Sequence, residues 1–130
     1  MIEACLIPEH SRIEAPSRHF GRHPLTVERC IYAFMSQFAS TYSCGCWRFL
    51  ELNNGGFYMS PPDEMYEICI AGNGFQGRMN ADAVGITVCL FAFSHLSFEG
   101  AADVFAKHFH WLRNFALEHP DARMILQAVD

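Results

Sequence analysis

Two short aromatic-rich runs separated by a turn signal constrain the fold of this chain more than any other feature. The runs are residues 46–52 and 56–60, and Asn53, Asn54 and Gly55 lie between them. Aromatic residues are frequent in strands, while asparagine and glycine accept the positive φ angles that tight hairpin turns require. The pattern therefore predicts two antiparallel strands joined by a tight turn near the middle of the chain.

The segments around this hairpin are less regular. Residues 66–71 alternate between apolar and polar side chains and predict a third strand, which residues 75–79 continue beyond a glycine-rich turn. Residues 1–24 contain three prolines and few apolar residues in register. We therefore expect residues 1–24 to form an irregular arm that wraps the surface of the domain.

Helical periodicity accounts for most of the remaining chain. Apolar residues recur at intervals of three and four from Val27 to Tyr42, and Thr26 precedes them as an N-cap. Three more helices are predicted towards the C-terminus: residues 81–96 capped by Asn80, a helix capped by Ser97 that runs to His119, and a short last helix with Pro120 in its first turn. We expect a single α+β domain, in which a three- or four-stranded, mostly antiparallel sheet packs with about four helices.

The composition indicates a folded domain that stays in the cytoplasm. Of the 130 residues, 51% are hydrophobic and 18% are charged, a balance typical of a single globular domain with its own core. No apolar run approaches the roughly 20 residues that span a bilayer, and the N-terminal residues lack the basic and apolar regions of a secretory signal. In the reducing cytoplasm we expect the six cysteines to be thiols.

One glycine-rich segment matches a cofactor-binding motif by its spacing. Gly72, Gly74 and Gly77 follow a predicted strand and precede a predicted helix, as in the dinucleotide fingerprint. A Rossmann unit also requires a second parallel strand after that helix, whereas only helices are predicted beyond Asn80. We interpret the segment as a turn and expect no cofactor.

Cysteine and histidine residues are the candidates for a metal site or a catalytic site. Cys44 and Cys46 supply two thiol groups, but no second pair follows at the spacing of a zinc site. His108 and His110 differ by ~200° around a helix, so one is expected to face the core and the other the solvent. No nucleophile elbow or triad pattern occurs. The residues predict no catalytic or metal site, and a metal- or ligand-binding module around Cys44 and Cys46 remains the alternative.

The charge distribution bears on two modes of interaction with DNA-processing systems. Residues 1–50 contain five Arg and four Glu for a net charge of +1, while residues 51–130 contain four basic and ten acidic residues for −6. A mimic of duplex DNA ~35 Å long would need roughly 20 negative charges, so extended DNA mimicry is not expected. A DNA-binding regulator would use the basic cluster, although the acidic balance does not favour DNA binding. That cluster comprises Arg12, Arg18, Arg22 and Arg29.

Several ordered blocks of the sequence resemble the ArdB/KlcA type of antirestriction protein. The most characteristic block runs from Asn53 to Pro61, and Tyr42 and Trp47 precede it. Later blocks follow in the same order: residues 72–75, residues 80–86 with Asp82, Leu112-Arg113, His119-Pro120 and the closing residues 128–130. The similarity extends from about residue 12 to the C-terminus, while residues 44–46 and 9–24 depart most from the family pattern.

The resemblance implies a protein carried by a plasmid or other mobile element that protects incoming DNA from host type I restriction endonucleases. It implies non-catalytic inhibition in the cytoplasm. The implied partner is the type I restriction-modification system, reached either directly or through another factor. The resemblance implies no catalytic residue, metal or cofactor.

The hairpin block also supplies a candidate interaction surface. Successive strand residues point to opposite faces, so Tyr58 is expected to face outward if Phe57 belongs to the core. An outward aromatic residue beside Asn53 and Asn54 would suit a protein interface, because aromatic residues are enriched at binding hot spots. Asp82, from the second block that resembles the family, completes the candidate surface.

Overall fold

Five strands and five α-helices make up most of the part of the chain that this computed structural model describes, which is residues 1–21, 23–43, 45–99 and 102–130. The strands are β1 (Ala4–Leu6), β2 (Arg48–Leu52), β3 (Phe57–Ser60), β4 (Met65–Ile70) and β5 (Phe75–Asn80). The helices are α1 (Ala15–Phe20), α2 (Pro24–Phe38), α3 (Ala81–Ser97), α4 (Ala102–Glu118) and α5 (Ala122–Val129). The predicted α+β class is confirmed.

The strands form two antiparallel sheets. The first has the order β1-β2-β3, and the predicted hairpin joins β2 to β3 with Leu50 opposite Tyr58. The second contains only β4 and β5, which pair from Met65 opposite Asn80 to Ile70 opposite Phe75. The segment that was expected to continue the third strand therefore folds back on it as a separate strand.

The reversal between β4 and β5 has a local cause. Gly74 has a φ of 76°, and its N–H donates to the carbonyl oxygen of Ile70 at 2.9 Å. The side chain of Asn73 accepts a hydrogen bond from the N–H of Phe75 at 3.0 Å. These contacts form a tight turn, which agrees with the interpretation of the glycine-rich segment as a turn.

Helix α3 lies at the centre of the fold and covers the free edge of β3. Most of its residues are buried, and it packs against α2, α4, α5 and β3. The N–H of Met59, on β3, donates to Sγ of Cys89 at 3.4 Å. A Cβ atom on Gly85 would lie only 2.2 Å from the carbonyl oxygen of Met59, so the close approach of helix and strand requires glycine.

The N-terminal segment is more regular than its sequence predicts. Instead of an irregular arm, residues 1–24 contain β1, one 3-10 turn at Glu9–Ser11, α1 and the start of α2. Long-range contacts account for the difference: the N–H of Ile7 donates to the carbonyl oxygen of Phe49 at 2.8 Å, and Phe20 is buried in the core. Periodicity within the segment does not report such contacts.

Both ends of α2 and the start of α4 differ from the sequence expectation, while the cap of α3 agrees with it. Helix α2 begins at Pro24 rather than after Thr26, and it ends before Tyr42. Ser97 is the last residue of α3, and its hydroxyl donates to the carbonyl oxygen of Ser94 at 2.6 Å instead of capping α4. Asn80 caps α3 as predicted, since its Oδ1 accepts the N–H of Ala83 at 2.8 Å.

The two histidines of α4 face opposite sides, as their spacing predicts. His108 is buried and His110 is exposed. Pro120 precedes α5, which begins at Ala122 rather than at the proline. Within the described ranges, none of these helices combines the length and the apolar character needed to cross a membrane.

Candidate functional site

The amide side chains at the hairpin tip bond to the protein itself. Oδ1 of Asn53 accepts the N–H of Glu3 at 3.0 Å, which ties the turn to the start of the chain. Oδ1 of Asn54 accepts the N–H of Gly56 at 3.0 Å, and its Nδ2 donates to the carbonyl oxygen of Trp111 at 3.0 Å. Asn54 therefore closes the turn and fastens it to α4.

The two glycines of the turn allow that attachment. Gly55 has a φ of 106°, a backbone conformation that residues with a Cβ atom rarely adopt. A Cβ atom at Gly56 would lie 2.8 Å from Leu52 and 3.1 Å from Cβ of Trp111. The turn thus packs directly on the Trp111 side chain, and larger residues would separate the hairpin from α4.

Tyr58 does not face the solvent, so this part of the sequence prediction is wrong. Its exposed fraction is 1%, and all four residues of β3 are buried. Both faces of the strand are covered: the ring of Phe57 lies 5.6 Å from that of Phe20 on α1, and the ring of Tyr58 lies 5.8 Å from that of Phe115 on α4. Alternation correctly predicts that Phe57 and Tyr58 lie on opposite faces of the strand. It does not show whether one face or both faces are covered.

A single carboxylate joins three elements beside the buried tyrosine. The hydroxyl of Tyr58 donates to Oδ1 of Asp82 at 2.6 Å. Nε2 of His119 lies 2.7 Å from Oδ2 of the same carboxylate. Asp82 belongs to the first turn of α3, and His119 follows the last residue of α4. The Asp82 carboxylate therefore links β3, α3 and the end of α4.

The hydrogen bonds fix the proton on His119. Its Nδ1 accepts the backbone N–H of Asp121 at 3.0 Å, so that nitrogen carries no proton. Nε2 must then be the protonated nitrogen that donates to Asp82. The Asp121 carboxylate in turn accepts Nδ2 of Asn80 at 2.9 Å, and Asn80 caps α3. The neutral imidazole is fully satisfied in this arrangement.

The environment stabilises the ionised form of Asp82. Partial burial acts to raise the pKa of its carboxyl group, but the hydrogen bonds from His119 and Tyr58 outweigh burial and hold the pKa below its usual range. The positive charge of Arg48 acts in the same direction. Burial and the bond to Asp82 raise the pKa of Tyr58 well above its usual value, so the hydroxyl remains a donor.

The candidate residues are arranged along one face of α4. Trp111, Phe115 and His119 are spaced by four residues, which places them in one row along the helix. Asn54 contacts the first member, Tyr58 the second, and Asp82 the third. We call this row of contacts the α4 seam. It holds three of the four predicted surface residues, while Asn53 lies exposed at the tip beside it.

Sequence reasoning missed the partners that build the seam. His119 was recognised only as part of a family block, and Trp111 was not assigned to any site. Their four-residue spacing is visible in the sequence, and it is the signal that would have predicted a common face. The sequence carries no signal that pairs this face with the hairpin, because that contact joins residues more than 50 positions apart.

The structure also shows where most residues of the two alternative functions lie. These functions are a metal- or ligand-binding module and a DNA-binding regulator. Cys46 is exposed, while Cys44 lies outside the described residues. In the described ranges no group of three or more His, Cys, Asp or Glu side chains is arranged to hold a metal ion. Arg18 pairs with Glu51 at 3.3 Å, and Arg12 donates to the carbonyl oxygen of Trp47 at 3.0 Å.

The basic cluster is therefore not a continuous free surface. Two of its members are engaged within the protein, Arg29 is exposed on α2, and Arg22 lies outside the described residues. The three described arginines of the cluster form no row of unpaired cations along one element for a phosphate backbone.

The fold and the seam define the class of protein. It is a single α+β domain in which a β-hairpin is fastened along one helix. A sequence profile described as "Antirestriction protein" matches residues 40–130, which include the hairpin, α3, α4 and α5. The chain belongs to this antirestriction protein family.

Relatives of full length support the same assignment. The chain is 37% identical to the antirestriction protein KlcA of Escherichia coli over 135 residues, which covers 99% of this chain and 95% of KlcA. It is 39% identical over 129 residues to YafX of Escherichia coli strain K12, an uncharacterised protein, covering 95% of this chain and 85% of YafX.

A solved structure has the same fold. It comes from work on the KlcA and ArdB proteins, which are reported to show a novel fold and antirestriction activity against type I DNA restriction systems in vivo but not in vitro. The TM-score is 0.93 at 38% sequence identity, and the match covers 99% of this chain and 95% of the solved one. The sequence-based family assignment is confirmed.

Proposed function

We propose that this protein protects incoming plasmid or phage DNA from host type I restriction endonucleases. The observation that carries the proposal is the full-length agreement in sequence with KlcA and in fold with the solved structure from the work on KlcA and ArdB. Relatives of this similarity usually share their core and the residues that shape it, so the α4 seam and the surfaces it positions are expected in both proteins.

The proposed mode of action is non-catalytic. The polar residues of the seam are bound to one another: the Tyr58 hydroxyl and the His119 imidazole both contact Asp82, and the Asn54 amide bonds to the backbone. Such side chains fix the fold and leave little freedom for proton transfer to a substrate. We therefore expect inhibition through a stoichiometric complex.

The proposed route runs through a cellular component in addition to the restriction enzyme. The activity reported for KlcA and ArdB is seen in vivo but not in vitro, which favours such a factor in the relatives. By extension we expect this protein to act in the cytoplasm of the recipient cell and to be carried by a plasmid or other mobile element.

Transformation with two matched plasmids tests the proposal. The plasmids are unmodified and differ only in whether they contain a recognition sequence of a type I system active in the host. Expression of this protein is expected to raise recovery of the plasmid with the site, while recovery of the plasmid without the site stays constant. Equal recovery with and without the protein, at a verified level of folded protein, contradicts the proposal.

The requirement for a cellular factor is tested with purified components. We expect the purified protein to leave DNA cleavage by the purified type I endonuclease unchanged. Addition of an extract from restricting cells is expected to produce inhibition that increases with protein concentration and saturates. Inhibition of the purified enzyme alone would instead establish direct action and reject the indirect route.

A further inference from the structure

A groove separate from the α4 seam lies where the helices α1 and α2 meet the segment that enters β2. Its volume is about 430 Å³, which is within the range of ligand-binding pockets. The residues that matter for its chemistry are Ile13, Leu25, Glu28, Tyr32, Trp47 and Phe49. None of them takes part in the contacts among Asn54, Tyr58, Asp82 and α4.

Glu28 gives the groove a carboxylate that has no cationic partner among the described residues. It is half-buried on α2, and its only side-chain hydrogen bond among the described residues is a long one, 3.5 Å, from the hydroxyl of Tyr32. No cation in the described ranges lies within 4.0 Å of it. Burial raises the pKa of its carboxyl group, and the Tyr32 hydroxyl opposes this effect. A bound cation would favour the ionised form.

Arg12, the one arginine of the described residues that lines the groove, is engaged elsewhere. Nη1 of Arg12 donates to the carbonyl oxygen of Trp47 at 3.0 Å, and Nη2 lies 3.8 Å from the carboxylate of Glu9. Its guanidinium carbon lies 5.7 Å from the centre of the Phe49 ring. Arg12 thus forms part of the wall and leaves the Glu28 carboxylate available to another cation.

The rest of the groove suits a flat cation with apolar neighbours. Tyr32 is half-buried and presents an aromatic wall beside Glu28, and the buried Trp47 packs edge-to-face against it with 5.4 Å between the ring centres. A guanidinium group stacks on such rings and can form two parallel hydrogen bonds to a carboxylate. At the rim, Ile13 is 89% exposed and Leu25 is 64% exposed, which leaves apolar surface for a partner to cover.

We propose that this groove docks an arginine side chain of a partner protein, with the guanidinium group on Glu28 and an adjacent apolar residue over Ile13 and Leu25. Lysine fits less well, because its ammonium group neither stacks as a plane nor bonds in a bidentate manner. The inference does not depend on antirestriction activity. It defines an interaction surface, and binding of small probes to the purified protein can test whether that surface exists.

The test uses the full-length protein and three small probes. They are the peptide acetyl-Leu-Arg-Leu-amide, the same peptide with neutral citrulline in place of arginine, and propylguanidinium, which carries the guanidinium group without the peptide. The indole N–H of Trp47, which donates to the Tyr42 hydroxyl at 3.0 Å, reports binding by NMR. Trp111, the second tryptophan, lies on the α4 seam and serves as an internal control.

The arginine peptide is expected to shift the Trp47 indole resonance in a saturable manner and to leave that of Trp111 unchanged. It should bind about tenfold more tightly than the citrulline peptide, because only arginine forms a charge-assisted pair with Glu28. Glu28→Gln, which can still accept the Tyr32 hydroxyl, is expected to remove this preference. Glu14→Gln, at an exposed carboxylate outside the groove, is expected to retain it.

Five results would overturn the inference, and the last of them comes from a separate measurement. The first three are the absence of saturable binding at millimolar peptide, equal affinity for the arginine and citrulline peptides, and an unchanged preference in a folded Glu28→Gln variant. The fourth is propylguanidinium binding as tightly as the arginine peptide, which would define a site for a free small cation. Sedimentation of the purified protein addresses a further occupant: self-association that Glu28→Gln abolishes would assign the groove to a second copy of this chain and reject the proposal.

Discussion

The hydroxyl of Tyr58 donates a 2.6 Å hydrogen bond to the carboxylate of Asp82, although the two residues lie on different elements and 24 positions apart. The other oxygen of that carboxylate is 2.7 Å from Nε2 of His119. One acidic side chain therefore holds a strand, the start of the central helix and the end of α4 together. Its partners are buried while the Asp82 side chain is 40% exposed, so the carboxylate fixes the position of these elements from the edge of the surface.

Tyr58→Phe is expected to lower the free energy of unfolding by about 2 kcal/mol, because a buried hydrogen bond to a charged group is lost. Urea denaturation at neutral pH measures the change. Tyr66→Phe is the matched control: its hydroxyl accepts the N–H of Asp63 at 2.9 Å, an uncharged bond whose loss exposes a donor at the surface. A loss in Tyr58→Phe no larger than in the control would contradict the role of Asp82.

Asn54 provides a test of whether the hairpin block acts through structure or through contact with a partner. Asn54→Ala removes the bonds to the carbonyl oxygen of Trp111 and to the N–H of Gly56, so we expect a loss of about 1–2 kcal/mol in the free energy of unfolding. Asn53→Ala, which removes one bond to an exposed backbone N–H, should cost less.

The same two variants separate structure from recognition in cells. If Asn54 acts through the fold, antirestriction by Asn54→Ala should fall only in proportion to the amount of folded protein. Protection that disappears while the folded level and stability are unchanged would instead identify Asn54 as a contact residue.

Gly85 is predicted to be the least tolerant glycine of the described chain. Gly85→Ala would place a Cβ atom 2.2 Å from the carbonyl oxygen of Met59 and 2.9 Å from Cα of Ser60, so helix and strand must separate. We expect a loss of about 3 kcal/mol in the free energy of unfolding. Gly72→Ala, where no atom lies within 4 Å of the added Cβ, should change stability by less than about 0.5 kcal/mol. Thermal or urea unfolding compares the two.

His108 makes the stability depend on pH in a defined window. Its Nε2 donates to the carbonyl oxygen of His19 at 3.2 Å, and its buried Nδ1 has no hydrogen-bond partner in the described part of the chain. Burial, with the nearby charge of His19, lowers the pKa of His108 to about 4 from an ordinary value of 6.5. Between these values the unfolded chain binds the additional proton, so stability is full above pH 6.5 and falls as the pH decreases towards 4.

The free energy of unfolding is expected to fall by on the order of 3 kcal/mol between pH 6.5 and pH 4. His108→Gln cannot titrate, so its free energy of unfolding should depend less on pH between 6.5 and 4 even if it is lower at neutral pH. Urea denaturation at several pH values measures both slopes. Parallel pH profiles for the two proteins would show that other groups, such as the carboxylates, cause the acid sensitivity.

The parts of the fold that short-range chemistry controls were predictable from the sequence. Asn80 caps α3 through its own side chain, and the hairpin turn depends on the positive φ of Gly55. The regular structure before α2 was not predictable, because Ile7 pairs with Phe49, more than 40 positions away. Ser97 has the composition of an N-cap, but its hydroxyl bonds backward to Ser94 at the end of α3.

The candidate site was predictable in its members but not in its geometry. The sequence singled out Asn54, Tyr58 and Asp82, and the structure brings them together along α4. The prediction that Tyr58 faces outward was wrong, because both faces of β3 are covered. Alternation does not show that the second face is covered as well. His119 and Trp111 complete the seam through long-range contacts that have no local signature.

The plating efficiency of unmodified phage on cells with an active type I restriction system is the most direct test of the proposed antirestriction function. Cells with and without this protein are compared at a verified level of folded protein, and phage already modified by the host serves as the control. We predict that the protein raises the efficiency for unmodified phage towards that for modified phage. An unchanged efficiency for unmodified phage, with folded protein present, would contradict the proposed antirestriction function.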